Sequence, residues 1–291
     1  MSLDPIARIR RFNRAVTSEV GALDTSFLGL GRPLGAARVI DAIGKGHAEV
    51  SEIRNYLGLD SGLMSRLLRS LEDEGLVETL PHPDDARRRL ARLTEEGRRA
   101  FASYEALSDA RAAAVLEGHS RPDVVLEAMD IVAAALSRKR ITLEERGASS
   151  PEARYCLAEY YKELSRRFTG GFDVKLSRDP EAKAMTRPLG VFLVAMSDDL
   201  PIGCAGLKGD GSPVGEVKRV WVSPAARGLG LGGRMMSAVE AKARELSMTC
   251  LRLDTNSALT EALRLYRRDG WREIERFNDD PYPDTFFEKH I

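Results

Sequence analysis

Glu216–Arg234 reads EVKRVWVSPAARGLGLGGR, and the order of residue types in it sets the expectation for half of the chain. Between Glu216 and Val222, three β-branched residues and a Trp favour a strand. Pro224 cannot donate to a ladder and ends it. Arg227-Gly228-Leu229-Gly230-Leu231-Gly232-Gly233 follows as nearly bare backbone. From Arg234 to Leu246 the pattern becomes helical, with Met235, Val239, Ala243 and Leu246 on one stripe. A glycine-rich turn at a helix N-terminus offers unpaired N–H groups and the positive end of the helix dipole. That chemistry suits a phosphate or pyrophosphate.

Two common phosphate patterns do not account for the turn. Gly228, Gly230 and Gly233 meet the dinucleotide spacing G-x-G-x-x-G, but no acidic residue follows at the end of a second parallel strand to hold a ribose. No Lys-Ser/Thr pair follows the glycines, so the Walker pattern fails too. Arg227, Gly230 and Gly232 form Arg-x-x-Gly-x-Gly, which resembles the coenzyme-A pyrophosphate loop of the GNAT superfamily of N-acetyltransferases.

The 291 residues allow about two domains. Acidic and basic residues balance at 44 each, so nucleic-acid or membrane binding would have to use local patches. No apolar run is long enough to cross a bilayer. The first residues carry arginines without an apolar signal core, which predicts a cytoplasmic protein. Cys156, Cys204 and Cys250 lack C-x-x-C spacing and read as buried reduced thiols. The four histidines are scattered, and no metal site is expected.

In the first half, Ile6, Ile9, Phe12, Val16, Val20 and Leu23 predict one long helix from Ile6 to about Leu28. Pro33 opens a second helix that Gly44 ends, and a short third helix is stopped by Gly58. Asp60 or Ser61 caps the next helix, closed by Gly75. Leu63, Leu67, Leu68 and Leu71 form its inward stripe, and Ser61, Gly62, Met64, Ser65, Arg66 and Arg69 its outward side. Leu76–Leu80 and Leu90–Leu93 are expected as strands around a polar tip at 82–89. Thr94 then caps a helix with acids in its first turn.

The run SEIRNYLGLDSGLMSRLLRSLEDEGLVE and the wing DDARRRLARLTEEGR resemble the MarR family of winged-helix regulators over roughly residues 1 to 136. The resemblance implies double-stranded DNA as partner, at a near-palindromic site. Ser61, Met64 and Ser65 would face bases, and Arg66 and Arg69 would reach phosphates or guanine edges. Arg87, Arg88 and Arg89 would enter or flank the minor groove, with Asp85 holding one of them. It also implies a homodimer through the terminal helices, Ile6–Leu28, Glu95–Leu116 and Pro122–Leu136.

Ser137-Arg138-Lys139-Arg140 is a short joint, so the domains are expected at 1–137 and 138–291. The later order is strand pair, strand, glycine loop, helix, strand, helix and closing hairpin. Together with Leu265-Tyr266-Arg267-Arg268-Asp269-Gly270-Trp271, this resembles a GNAT domain with a mixed, mainly antiparallel sheet. The fold class is therefore a mostly α winged helix-turn-helix followed by an α/β GNAT fold.

The GNAT resemblance implies acetyl-CoA as acyl donor and an amine as acceptor, a small molecule or a protein. Backbone N–H groups beside Val220, Trp221 and Val222 would hold the pantetheine and the oxyanion. The amides of Arg227, Gly228, Leu229, Gly230, Leu231, Gly232 and Gly233 would carry the pyrophosphate, with the Arg227 guanidinium adding charge. Glu216 stands where several members keep a general base, and Tyr266 where they keep the acid that protonates the thiolate. Leu259 occupies a position where many relatives have Asn. Asn256 either substitutes from the strand end or the contact is missing. The segment Asn278–Asp284 lines the acceptor pocket or is a solvated loop. Three readings follow: an N-acetyltransferase that also binds DNA, a DNA-binding regulator that only senses acetyl-CoA, or an acetyltransferase whose winged helix serves dimerisation or protein contact.

Overall fold

The computed structural model describes residues 4–176 and 182–291. The chain divides into two compact units, Met1–Pro122 and Asp123–Ile291. The expected boundary lay fifteen residues later. It moves because the helix Pro122–Ser137 buries Ala134 in the core of the second unit, and Ser137 Oγ donates to Asp198 Oδ2 at 3.2 Å.

In the first unit, α1 spans Pro5–Glu19 and is capped by Asp4, whose side chain accepts from the amides of Ile6 and Ala7. The expected continuation to Leu28 does not form. Gly21 takes a left-handed conformation (φ 61°), and the chain re-forms only a short 3-10 turn at Phe27–Gly29. Next come α2 (Leu34–Gly44), α3 (Val50–Leu57) and α4 (Ser61–Asp73). Asp60 caps α4 by accepting from the Leu63 amide at 2.8 Å. Strands β1 (Val77–His82) and β2 (Asp85–Leu93) pair antiparallel, so the turn shrinks from the expected eight residues to Pro83-Asp84. The outer part of this hairpin leaves Arg87, Arg88 and Arg89 exposed, while Val77, Ala91 and Leu93 at its base are buried. α5 (Glu95–Glu117) starts at Thr94, whose hydroxyl accepts from the Gly97 amide at 3.0 Å. A Cβ on Gly97 would lie 1.9 Å from the Leu76 carbonyl oxygen, so the helix meets the strand there only as glycine.

The core of this unit joins α2 to α3, α4, α5 and the wing through Val39, Ile40, Ile53, Met64, Leu68, Leu71 and Tyr104. Met64 is the residue whose expected role this corrects. It is 2% exposed and cannot face a base. On α4, position 64 falls three residues before Leu67, four before Leu68 and seven before Leu71, which places it on the inward stripe.

The second unit holds α6 (Pro122–Ser137), β3 (Thr142–Glu145), α7 (Pro151–Arg167), β4 (Val191–Ser197), β5 (Leu200–Lys208), β6 (Val214–Val222), α8 (Leu231–Glu245), β7 (Cys250–Thr255), α9 (Thr260–Arg268), β8 (Arg272–Ile274) and β9 (Thr285–His290). The seven strands order as β3-β4-β5-β6-β7-β9-β8. The β6–β7 pair is parallel, as its α8 crossover requires, and the other neighbouring strands of this sheet pair antiparallel. One face packs Leu193, Ala205, Val217, Leu251 and Phe287 against Met235, Met236 and Val239 of α8. The other packs Phe192, Val194, Cys204 and Trp221 against Ala153, Cys156 and Leu157 of α7. All three cysteines are buried free thiols. Among the described residues, no helix is long and apolar enough to cross a membrane.

Met64→Ala is expected to cost about 2–5 kcal/mol of stability through the cavity it leaves. A thermal melt lowered in midpoint supports the buried placement, whereas an unchanged melt with weakened duplex binding would return Met64 to the surface.

Candidate functional site

The site begins where two parallel strands stop pairing. β6 and β7 are in register from Val214↔Cys250 to Val217↔Leu253, and no register partner joins them beyond that point although both continue. On its other edge β6 bulges: Cys204 faces Trp221 and Gly206 faces Lys218, so Arg219 and Val220 together oppose Ala205. Arg219 takes φ 57° in the bulge, a left-handed conformation that an arginine holds at some cost. The splay and the bulge open a gap in the middle of the sheet, and two cavities meet there.

The outer cavity, about 600 Å³, lies between the end of β6, the glycine turn and α9. Gly228 and Gly230 adopt φ 76° and 78°, and a Cβ on Gly228 would meet nothing within 4 Å. Their need for glycine is therefore conformational. Gly230 is the N-cap of α8 and supplies no side-chain cap, which leaves the first amides of α8 facing the cavity without a side-chain acceptor. Gly232 and Gly233 line it as well. This cradle fits a diphosphate by its donor set and by the dipole of a fifteen-residue helix. Leu231 contributes main chain only, since its side chain is 2% exposed in the core, and Leu229 packs partly buried against the same cluster.

Arg227 is less free than the sequence suggests. Its Nε donates to the Val222 carbonyl at 3.1 Å, and its Nη2 donates to Glu163. Glu163, on α7, is 9% exposed and also accepts from Trp221 Nε1 at 3.1 Å and pairs with Arg167 Nε at 2.9 Å. Arg167 continues to Glu261 at the start of α9, 2.8 Å away, and both hold each other charged: the Glu261 carboxyl is lowered and the Arg167 guanidinium raised. One buried carboxylate thus ties α7, β6 and the turn together. Sequence reasoning missed it, because a single Glu in an amphipathic helix carries no motif.

The inner cavity, about 110 Å³, is lined by Lys208, Lys218, Arg219, Asp254 and Asp280 among aromatic rings of α7 and the loop before β9. Lys218 Nζ lies 2.5 Å from Asp254 Oδ2 and 3.8 Å from Asp280 Oδ2. Tyr266, with Tyr160 and Val220, lines both cavities and so stands at their junction. Burial, and next the Asp254 carboxylate, pushes the Tyr266 phenol above its ordinary value of 10.0, which keeps its proton on.

Two expected residues do not line the outer cavity. Glu216 lines neither cavity. Its Oε2 is buried without a hydrogen-bond donor, 3.8 Å from Lys218 Nζ and 3.9 Å from Lys208 Nζ. Two residues upstream of the splay, it stays inside the paired part of the strand. Asn256 lines the inner cavity, not the outer one, and its amide is spent on the Tyr282 carbonyl (2.7 Å) and the Ala258 amide (2.9 Å). Of the 278–284 segment, Asp280, Tyr282 and Pro283 line the inner cavity.

In the winged unit, Ser61, Ser65, Arg66 and Arg69 are exposed on α4, with Ser65 Oγ donating back to the Ser61 carbonyl at 2.8 Å. The three wing arginines separate. Arg87 projects, its side chain 92% exposed, while its amide and guanidinium donate to Asp85 at 3.0–3.3 Å. Arg88 turns instead to Glu49, the residue before α3, where it and then the Ser51 hydroxyl hold the carboxyl down at about 2. Arg89 donates to Thr79 on β1. The alternation of strand side chains sends Arg88 to the face opposite Arg87, which a count of arginines does not reveal. Among the described residues, Cys250, Glu288 and His290 are close enough to share a cation. Glu288 is already engaged by Arg252 (2.9 Å) and Arg272 (3.3 Å), whose charge opposes one.

The Acetyltransferase (GNAT) family model matches residues 157–271, and the MarR family model matches residues 28–88. The chain is 30% identical to an IAA acetyltransferase of Azospirillum brasilense over 140 residues, which are 46% of this chain and 90% of that protein. It is 31% identical over 102 residues to an uncharacterized N-acetyltransferase of Schizosaccharomyces pombe, covering 34% of this chain and 63% of that one. A GNAT-family acetyltransferase structure from Staphylococcus aureus aligns with a TM-score of 0.46 at 19% identity, over 52% of this chain and 98% of that one. With the strand splay, the glycine turn and the buried tyrosine already in place, the chain belongs to the GNAT family of acyl-CoA N-acetyltransferases, with acetyl-CoA as acyl donor, and carries a MarR-family winged-helix unit ahead of that domain.

Proposed function

We propose that this protein is a DNA-binding regulator that also turns over acetyl-CoA, moving the acetyl group to an amine by direct attack. The observation that carries the reading is the position of Tyr266, shared by a cavity of bare amides and a cavity of charged and aromatic side chains. The thioester supplies an activated acetyl group. The amides of Gly228 to Gly233 bind its diphosphate, and main chain freed by the splay at Val220 to Val222 orients its arm and stabilises developing negative charge. Arg227 adds charge at the turn while Glu163 holds it. Tyr266 keeps a proton at the junction and gives it to the departing sulfur. Glu216, set back behind Lys218, serves as base through water rather than by touching the amine.

The winged unit fits a duplex by its exposed α4 face and by Arg87. Ser61, Ser65, Arg66 and Arg69 would enter the major groove and Arg87 the minor groove, with Arg88 and Arg89 bracing the wing. The apolar stripe of α1 supports a homodimer. Ile6 and Ile9 are 61% and 56% exposed, and Phe12 and Val16 continue their line. A dimer of this kind reads a near-palindromic site. Work of both kinds belongs in the cytoplasm.

Tyr266→Phe is expected to lower kcat about a hundredfold or more, with calorimetric affinity for acetyl-CoA unchanged. An unaltered kcat would remove the tyrosine from the chemistry. Because burial raises the phenol, kcat of the parent enzyme should show no alkaline fall below the ordinary tyrosine value of 10.0. Arg87→Ala should weaken binding to a selected duplex and reduce the salt slope by about one counterion. If titrations across salt concentrations leave slope and affinity unchanged, the wing does not touch DNA.

A further inference from the structure

The outer cavity carries more positive charge than its own carboxylates offset, and what the surplus binds rests on the donor-site reading above. Among the described residues, the guanidiniums of Arg167, Arg227, Arg264 and Arg268 line it, against the carboxylates of Glu163 and Glu261. Arg227 and Arg167 are taken up by those two acids. Glu163 accepts from Arg227 and pairs with Arg167, and Arg167 reaches Glu261. The remaining arginines, Arg264 and Arg268, both belong to α9. They are four positions apart, which places them on one face of the helix.

That face lies close to the glycine turn. A Cβ on Gly232 would be 3.2 Å from Leu265 Cδ2, and one on Gly233 would be 3.5 Å from Arg268 Nη2 and 3.6 Å from Asp269 Oδ2. The Arg268 guanidinium therefore stands beside the same first turn of α8 whose amides face the cavity. Its Nε donates to Asp269 Oδ1 at 2.8 Å, which fixes its direction and offsets its charge, and the side chain stays 68% exposed. Arg264 is exposed as well, and among the described residues no carboxylate engages its side chain. The unmatched charge of the cavity thus sits on Arg264, with Arg268 one turn further along.

A diphosphate fills the amide cradle and leaves these two side chains for another anion. Coenzyme A carries one, a phosphate on its ribose 3′ oxygen, on the far side of the diphosphate from the thioester. Two guanidiniums at helical spacing suit a phosphate monoester, whose terminal oxygens accept from forked N–H donors. We propose that Arg264 and Arg268 hold the 3′-phosphate of the acyl donor, with Asp269 setting the angle of Arg268. The protein then selects acetyl-CoA over a donor that has the same thioester and diphosphate but lacks that phosphate. The amide cradle alone makes no such distinction, because the diphosphate is common to both.

The test is titration calorimetry on the full-length protein with acetyl-CoA and with acetyl-3′-dephospho-CoA, which needs no acceptor. Acetyl-CoA is expected to bind about tenfold more tightly at low salt, as one charge-assisted contact allows. The margin should narrow as added salt screens these exposed charges. Arg264→Gln should bring the ratio of the two dissociation constants close to one, and Arg268→Gln should reduce it. Each ratio is taken within one variant, so a loss of folded protein cancels from it. Equal affinities in the parent protein, or a ratio that Arg264→Gln leaves untouched, overturns the proposal and leaves the amide cradle standing. No binding of either donor brings down the donor-site reading as well.

Discussion

Two neighbouring strands that share a ladder as far as Val217 and Leu253 and then part are the constraint behind the second unit. Each strand that leaves a ladder exposes N–H and C=O groups, and buried polar main chain is rarely left unmatched. Here the exposure is placed at the C-terminal ends of parallel strands, where the crossover helix α8 also begins. Strand ends and helix start then present donors to the same space. The bulge at Arg219 and Val220 extends that space by turning β6 away from its regular course.

What holds the gap open is a set of contacts from outside the sheet. Glu163 gathers Trp221, Arg227 and Arg167, and Arg167 reaches Glu261. A buried carboxylate with this many donors resists loss of any single partner, because each loss leaves charge uncompensated. On the inner side, Lys218 stands among Asp254, Asp280 and Glu216. Its position accounts for the retreat of Glu216 from the cavity and the advance of Asp254 into it. The outer cavity is built mostly of main chain and the inner one of side chains. A constant acyl donor and a chain-specific acceptor would divide the site in the same way.

The winged unit follows a different economy. Its core is aliphatic, gathered by α2, and its exposed charges are organised by short local pairs: Asp85 with Arg87, Glu49 with Arg88, Glu78 with Arg92. Pairs of this kind near the surface contribute little to stability, because water and salt screen them. Their effect is orientation. Three consecutive arginines become one projecting side chain and two braces.

Composition, periodicity and glycine placement by themselves determined the order of elements in both units, the caps at Asp60 and Thr94, and the glycine turn before α8. Each depends on residues within a few positions of one another, and local backbone preferences and side-chain periods act at that range. Tertiary structure alone decided which charged groups share a cavity. Glu163 and Arg227 are sixty-four positions apart, and Lys218 and Asp254 thirty-six. It also turned Met64 inward, tied Asn256 to Tyr282, set Glu216 behind the lysines of the inner cavity and carried α6 into the second unit. Those outcomes depend on how strands splay and helices pack, and no local pattern encodes a distance between residues that only the fold brings together.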